Sequence, residues 1–161
     1  MKIYTCANYA TVRGDLFAAK LGHDVAAGNR LVSLMRQSRL QVLCVASRYD
    51  WIVPVPPRQA AKSRDLALAF AFVVAQRLGT WCRKVLRQSR RRPPLRKMGL
   101  AERNAAVRGC YTMREYLSEG VSVLLVDDVA TTGSTLRECA RVLKAHGAGR
   151  VDALVLARVP R

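Results

Sequence analysis

The sequence predicts an α/β fold with a mainly parallel central sheet flanked by helices. Residues 121–126 form a nearly continuous run of β-branched and aliphatic side chains, which is the pattern of a strand buried on both faces of a parallel sheet. A polar turn follows, then a helical pattern over residues 134–146 and a second strand pattern over residues 151–156. A strand, a helix and a second strand in this order predict a βαβ unit with a right-handed crossover.

The predicted helix has one apolar and one basic face, as expected for a helix that covers a sheet. Its apolar face comprises Leu136, Ala140 and Leu143. Its basic face comprises Arg137, Arg141 and Lys144. Gly147 follows and is the residue type that most often ends a helix.

Two more elements are predicted earlier in the chain. Residues 51–55 have the pattern of a short buried strand, ended by Pro56 and Pro57. Residues 66–78 are apolar and long enough for a helix, ended by Gly79. A length of 161 residues suits one domain, which we assign to residues 1–161.

The charge of the chain is strongly positive. There are 28 Lys and Arg residues against 11 Asp and Glu residues, a formal net charge of +17. Such a charge attracts polyanions, namely nucleic acid, an anionic membrane surface or phosphorylated small molecules. It is equally typical of an arginine-rich surface that only contacts water.

The cysteine pattern argues against a zinc site and a disulfide framework. The five cysteines are scattered, odd in number and without a C-x-x-C pair: Cys6, Cys44, Cys82, Cys110 and Cys139. The apolar run over residues 66–75 is too short to span a bilayer, and the first residues lack the apolar stretch of a signal peptide. We therefore expect no membrane insertion and a cytoplasmic location.

The polar turn after the first strand pattern carries the chemistry. Two acids, Asp127 and Asp128, follow the strand, at the end where ligands bind in open α/β sheets. Gly133 allows close approach of the backbone, and four hydroxyls accompany it, those of Thr131, Thr132, Ser134 and Thr135. The following helix begins with exposed N–H groups and the positive end of its dipole, which suits a phosphate.

Carboxylates repel a phosphate but accept hydrogen bonds from sugar hydroxyls, so the turn as a whole suits a ribose 5-phosphate. The alternative is an ordinary turn whose Asp, Ser and Thr side chains cap the helix. Neither a Gly-Lys-Ser/Thr phosphate loop nor a G-x-G-x-x-G dinucleotide turn is present in this segment.

Residues 123–135 resemble the motif of type I phosphoribosyltransferases that binds 5-phosphoribosyl-1-pyrophosphate (PRPP). The resemblance implies the type I phosphoribosyltransferase fold, with Asp127 and Asp128 as catalytic residues that face the ribose 2- and 3-hydroxyls. It implies that the 5-phosphate is wrapped by Ala130, Thr131, Thr132, Gly133, Ser134 and Thr135. It also implies Mg²⁺ that bridges pyrophosphate and ribose, held mainly by substrate and water without a direct protein ligand.

Three other segments resemble the ComF family of competence-related phosphoribosyltransferase-like proteins: residues 51–56, 102–111 and 151–158. This resemblance implies pyrophosphate contacts from Pro56, Pro57 and Arg58, and a phosphate contact from Arg103 in the flexible loop. Arg58 is also explained as a solvated loop residue, and Arg103 as a partner of Glu102 or of a helix end. The four-cysteine zinc module that precedes the domain in many relatives is not found in this sequence.

The segment over residues 83–97 has eight basic residues, no acids and an internal Pro93-Pro94. We expect its later part to be a mobile loop. Three interpretations stay open: a lid over the ligand, a track for single-stranded DNA with Trp81 as a stacking platform, and a solvated face.

Two functions follow from these patterns. The first is an enzyme that transfers phosphoribosyl from PRPP to an unidentified acceptor with Mg²⁺. The second is a catalytically silent protein that binds single-stranded DNA and assists DNA uptake. It is favoured by Ala106, which stands where the ComF pattern has Asn, and by residues 62–66, which replace its Arg-Gly-Phe-Asn-Gln. A homodimer is a further expectation, because many relatives of this fold dimerise.

Overall fold

A parallel sheet of five strands forms the centre of the computed structural model, which describes residues 1–21, 24–38, 48–57, 65–89, 100–113 and 115–160. The strands of this sheet are β1 (Ile3–Asn8), β2 (Trp51–Pro54), β3 (Trp81–Cys82), β6 (Ser122–Ala130) and β7 (Arg150–Arg158). Their spatial order is β1-β7-β6-β2-β3. Each neighbouring pair is parallel, so the carboxyl ends of all five strands lie at one edge.

A second, two-stranded sheet and the helices complete the described elements. Strands β4 (Leu86–Gln88) and β5 (Tyr111–Met113) pair in antiparallel fashion. The helices are α1 (Tyr9–Leu21), α2 (Val25–Gln37), α3 (Leu66–Leu78), α4 (Leu100–Val107) and α5 (Ser134–Ala145).

The central strands β6 and β7 divide the core into two hydrophobic clusters, one on each face of the sheet. Leu124 and Val126 of β6 belong to the first cluster, with buried side chains of α1, α2 and α3. Val123 and Leu125 belong to the second, with buried side chains of α5 and β5. Burial on both faces explains why these strands are nearly continuous in apolar residues.

The helix predictions are confirmed closely. Helix α3 has the predicted bounds, and Gly79 ends it in the left-handed conformation with φ 63°. Helix α5 begins at Ser134 as predicted and ends one residue early, because His146 is its C-cap. Its predicted apolar face is buried.

The strand predictions were too short for β6 and β7. Pairing between the two strands continues through Asp127↔Val155 and Val129↔Ala157 to Ala130↔Arg158. The strand β6 therefore includes the two acids that we predicted to lie in a turn, and the turn itself begins at Thr131.

The basic segment has an ordered beginning within the described residues. Val85 and Leu86 are buried in the second cluster, and Leu86 begins β4. The segment is described up to Ser89. Its later part, predicted as a mobile loop, lies outside the described residues. Among the helices described, none has the length and apolar character needed to cross a membrane.

Candidate functional site

The candidate site lies at the carboxyl edge of the sheet, where β6 ends. Ligands of open α/β sheets bind beyond this edge. Asp127 and Asp128 are adjacent near the end of β6. The ion pair with Lys20 of α1 places the Asp128 carboxylate on the side of the sheet that α1 covers.

The Asp128 carboxylate is held by two donors. Only 8% of the residue is exposed. The Val129 backbone N–H donates to Oδ1 at 2.6 Å, and Lys20 of α1 forms an ion pair with Oδ2. The carboxylate therefore has a defined orientation at the end of the strand.

Asp127 is half-buried, and its side chain also bonds to the neighbouring backbone. Its Oδ1 accepts a hydrogen bond from the Asp128 N–H at 2.8 Å. The two acids thus cap the end of β6 locally, and neither is the N-cap of helix α5. The acids therefore do not have the N-cap role that the alternative interpretation gave them.

The turn from Thr131 to the start of α5 belongs to the segment predicted to wrap the 5-phosphate, and we call residues 131–135 the cradle. Gly133 is the N-cap of α5, has φ 73° and gives the helix no side-chain cap. By contrast, the Asp24 and Asp65 carboxylates accept hydrogen bonds from the first turns of α2 and α3. An N-terminus without a side-chain cap directs its N–H groups toward a bound anion.

The hydroxyls of this turn are grouped around the helix start. Thr131 is exposed, Ala130 and Ser134 are buried, and Thr132 and Thr135 are half-buried. The Thr132 and Ser134 hydroxyls are 2.8 Å apart and hydrogen-bonded. The six residues predicted for the 5-phosphate are consecutive and lie between the end of β6 and the first turn of α5: Ala130, Thr131, Thr132, Gly133, Ser134 and Thr135.

Gly133 is closely surrounded on the side where a side chain would lie. A Cβ at this position would lie 3.3 Å from Ile3 Cδ1 and 3.4 Å from Arg137 Nη1. The Arg137 guanidinium is therefore beside the cradle, on the first turn of α5. The sequence pattern placed Arg137 only on the basic face of the helix. Its position in the first turn, three residues after Ser134, was the signal that could have identified it as a residue beside the cradle.

A cavity of about 710 Å³ opens beyond the carboxyl end of β2. Pro56 and Pro57, predicted to contact pyrophosphate, both line it. The lining also includes two exposed cations from the beginning of the basic segment, Lys84 and Arg87, and one acid, Asp65. The cavity therefore pairs a proline turn with positive charge, which suits a phosphorylated ligand.

Two further residues were predicted to contact phosphates. Arg58 lies outside the described residues. The backbone of Arg103 belongs to helix α4 rather than to the predicted flexible loop, and its side chain is outside the described part of the chain.

Glu138 connects α5 to the turn after α4. This buried carboxylate accepts a hydrogen bond from the Gly109 N–H at 2.8 Å and two from the Arg141 guanidinium at 2.9 and 2.8 Å. The hydrogen bonds from Arg141 hold the pKa of Glu138 below its ordinary value. The contact fixes the end of the α4 segment onto the helix that begins at the cradle.

Comparison with known proteins identifies the family. The family model described as the phosphoribosyl transferase domain matches residues 64–161, which include α3, the acids of β6, the cradle and α5. The chain belongs to the phosphoribosyl transferase family. The type I phosphoribosyltransferase fold predicted from residues 123–135 is confirmed, with its mainly parallel central sheet flanked by helices.

Solved structures agree with this phosphoribosyltransferase fold. Adenine phosphoribosyltransferase from Saccharomyces cerevisiae, in complex with adenine and an imino-altritol bisphosphate, is 15% identical with a TM-score of 0.55. The match covers 93% of this chain and 89% of that one. Glutamine PRPP amidotransferase from B. subtilis is 21% identical with a TM-score of 0.54, over 80% of this chain and 26% of that one.

Curated relatives match a shorter part of this phosphoribosyltransferase domain. Ribose-phosphate pyrophosphokinase 4 from rice, Oryza sativa subsp. japonica, is 51% identical over 43 residues. This stretch is 27% of the chain and 13% of the rice protein. The chain thus spans only a small fraction of that relative's length.

Proposed function

We propose that this domain is a PRPP-binding phosphoribosyltransferase of the ComF type, which transfers phosphoribosyl to an unidentified acceptor. One observation carries the proposal. A pair of acids at the end of a central parallel strand is followed directly by a helix start that has no side-chain cap. The ComF assignment is supported by the resemblance of residues 51–56 and 102–111, and the cavity beside β2 supplies room for the pyrophosphate.

The 5-phosphate would bind at the start of α5. The N–H groups of the first turn, the helix dipole and the hydroxyls of residues 131–135 all favour an anion there. Arg137, beside Gly133, adds a cation to this end of the site. This arrangement leaves the ribose ring over the end of β6.

The two acids would stabilise the reacting sugar. During transfer the bond from ribose C1 to pyrophosphate breaks, its electron pair leaves with the pyrophosphate, and a nucleophile, expected to be a nitrogen atom, forms a new bond to C1. Positive charge develops on the ribose ring between the breaking of the old bond and the formation of the new one. Asp127 and Asp128 would accept hydrogen bonds from the ring hydroxyls and stabilise this charge electrostatically.

The donor set fits the Mg²⁺ that the family resemblance implies. Asp127 and Asp128 offer carboxylate oxygens, which can accept hydrogen bonds from the water shell of this hard cation. As the resemblance implies, we expect the ion to be held mainly by substrate and water. When bound, it would neutralise charge on the pyrophosphate.

The pyrophosphate would occupy the cavity beyond β2. Pro56 and Pro57 line it after the end of β2, and Lys84 and Arg87 supply positive charge. Arg58, which follows Pro57 in the sequence, remains assigned to the same group. A phosphate contact from Arg103 would come from helix α4.

Calorimetric titration of PRPP with Mg²⁺ tests this function. We expect saturable binding that is lost when EDTA removes the metal, and that exceeds the affinity for ribose 5-phosphate because the pyrophosphate adds contacts. Saturable binding would justify screening nitrogen nucleophiles for pyrophosphate release. An absence of PRPP binding, in protein whose circular dichroism shows a folded α/β domain, would contradict the proposal.

A second candidate function, binding of single-stranded DNA, is favoured by one observation at the sheet edge. Trp81 of β3 is 74% exposed, and it is followed by the exposed cations Arg83 and Lys84. Exposed aromatic rings beside positive charge are the common means of binding single strands, because bases stack on the ring.

Replacing Trp81 tests this second function. Stacking contributes on the order of 1–3 kcal/mol per base, so Trp81→Ala should weaken single-stranded DNA binding by about tenfold in fluorescence anisotropy. Phe72→Ala is the matched control, since Phe72 is also an exposed aromatic but lies on α3. Equal affinities of the two variants and the parent would exclude Trp81 as the stacking platform.

A further inference from the structure

Lys20 connects an N-terminal helix to the acids of the candidate site. It is in the last turn of α1, directly after Ala19, which with Val12 and Leu16 is buried in the first hydrophobic cluster. The packing of these three residues brings α1 against the sheet face on which Asp128 lies. The Lys20 ammonium forms an ion pair with Asp128 Oδ2 and keeps 39% of its side chain exposed.

The two donors to Asp128 use different oxygens. Val129 N–H binds Oδ1 and Lys20 binds Oδ2, so rotation of the carboxylate would break both contacts. An ionised carboxylate accepts about four hydrogen bonds in all, so both oxygens keep capacity for a ligand. A carboxylate held in this way is oriented before the ligand arrives, which reduces the entropy lost on binding.

We propose that Lys20 is a positioning residue, which holds Asp128 in the orientation that accepts hydrogen bonds from the ribose hydroxyls. The ammonium also offsets one negative charge beside a site that must accept a polyanion. This inference rests on the proposed function, because it assigns a role to Lys20 in the same PRPP site.

The test compares two sugar phosphates that differ by one hydroxyl. Ribose 5-phosphate and 2-deoxyribose 5-phosphate both carry the phosphate for the cradle, but the second lacks the 2-hydroxyl that the acids would bind. We expect the parent protein to prefer ribose 5-phosphate about tenfold, since a site built for a hydroxyl discriminates against its absence. In Lys20→Met this preference should fall toward equal affinities, and PRPP binding should weaken about tenfold.

Matched variants separate positioning from folding. Arg30→Met removes a different ion pair of α1, the one between Arg30 and Asp15, and should leave the sugar preference unchanged. Lys20→Arg should retain most of the preference, because a guanidinium can also donate to Oδ2. In an Asp128→Asn background, Lys20→Met should have little additional effect, since the group on which it acts has been changed.

The outcomes distinguish this inference from the proposed function. If the parent binds PRPP and discriminates between the sugars, but Lys20→Met discriminates equally well, the role of Lys20 is wrong and the PRPP site stands. If Lys20→Met weakens both sugars equally, Lys20 only supports the fold, which likewise overturns the inference. If the parent does not bind PRPP, both proposals fail. If circular dichroism shows that the Lys20→Met protein is unfolded, the Lys20→Gln variant is tested in its place.

Discussion

The paired substitution Asp127→Asn and Asp128→Asn is expected to reduce Mg²⁺-dependent PRPP binding by at least about 100-fold. Asparagine keeps the shape of aspartate but removes the charge that strengthens hydrogen bonds from the ribose hydroxyls. A hydrogen bond to a charged group contributes roughly 1.5–3 kcal/mol, so the loss of two predicts a decrease of this size. Calorimetry with PRPP and Mg²⁺ measures the change.

The fold should survive this substitution. Both carboxylates accept from backbone N–H groups at the end of β6, and an asparagine Oδ1 can accept the same bonds. Asp15→Asn is the matched control, because Asp15 is a partly exposed acid that pairs with Arg30 and has no role in the proposed site. Unchanged PRPP affinity in the folded double variant would refute the assignment of the acids.

The core of the fold was predictable because its elements are defined by local pattern. The apolar length of 66–78 and the following Gly79 determine α3, and burial on both faces determines the apolar run of β6. The fold class followed from β6, α5 and β7 alone, since two parallel neighbours with a helix between them require a βαβ unit.

The N-terminal elements were not predicted, for a physical reason. Strand β1 contains no buried residue, and helix α1 buries only Val12, Leu16 and Ala19 while other apolar residues such as Phe17 are exposed. Their positions depend on long-range pairing, such as that between Ile3 and Ala153. The contact between Lys20 and Asp128 depends on the same packing, so no motif could indicate it.

The extension of β6 shows how pairing with a neighbouring strand overrides the low strand propensity of individual residues. Asp127 and Asp128 have low strand propensity, and the sequence pattern placed the end of the strand before them. In the structure β7 continues beyond this point with Val155 and Ala157, and the ladder continues with it. The acids are therefore held on a rigid strand end, which is a better support for a binding site than a loop.

The turn at the other end of α5 contains a glycine, Gly147, whose replacement is expected to destabilise the protein strongly. Gly147 has φ 104°, a conformation that side chains rarely adopt, and a Cβ there would lie 2.9 Å from the Leu117 backbone oxygen. Strain of about 1–2 kcal/mol and a clash of about 1–3 kcal/mol predict that Gly147→Ala destabilises the protein by about 3 kcal/mol. Thermal denaturation should show a midpoint lower by roughly 10 °C.

Gly14→Ala is the control for this substitution, because it makes the same chemical change without either cost. Gly14 is exposed within α1, and a Cβ there would have no heavy atom within 4 Å. Alanine is the better helix former, so this variant should be stabilised by up to about 1 kcal/mol. Opposite shifts of the two midpoints would show that the cost at 147 comes from backbone conformation and the Leu117 contact. A Gly147→Ala protein as stable as its parent would mean that the segment around Leu117 moves away freely, and that this end of α5 does not depend on glycine.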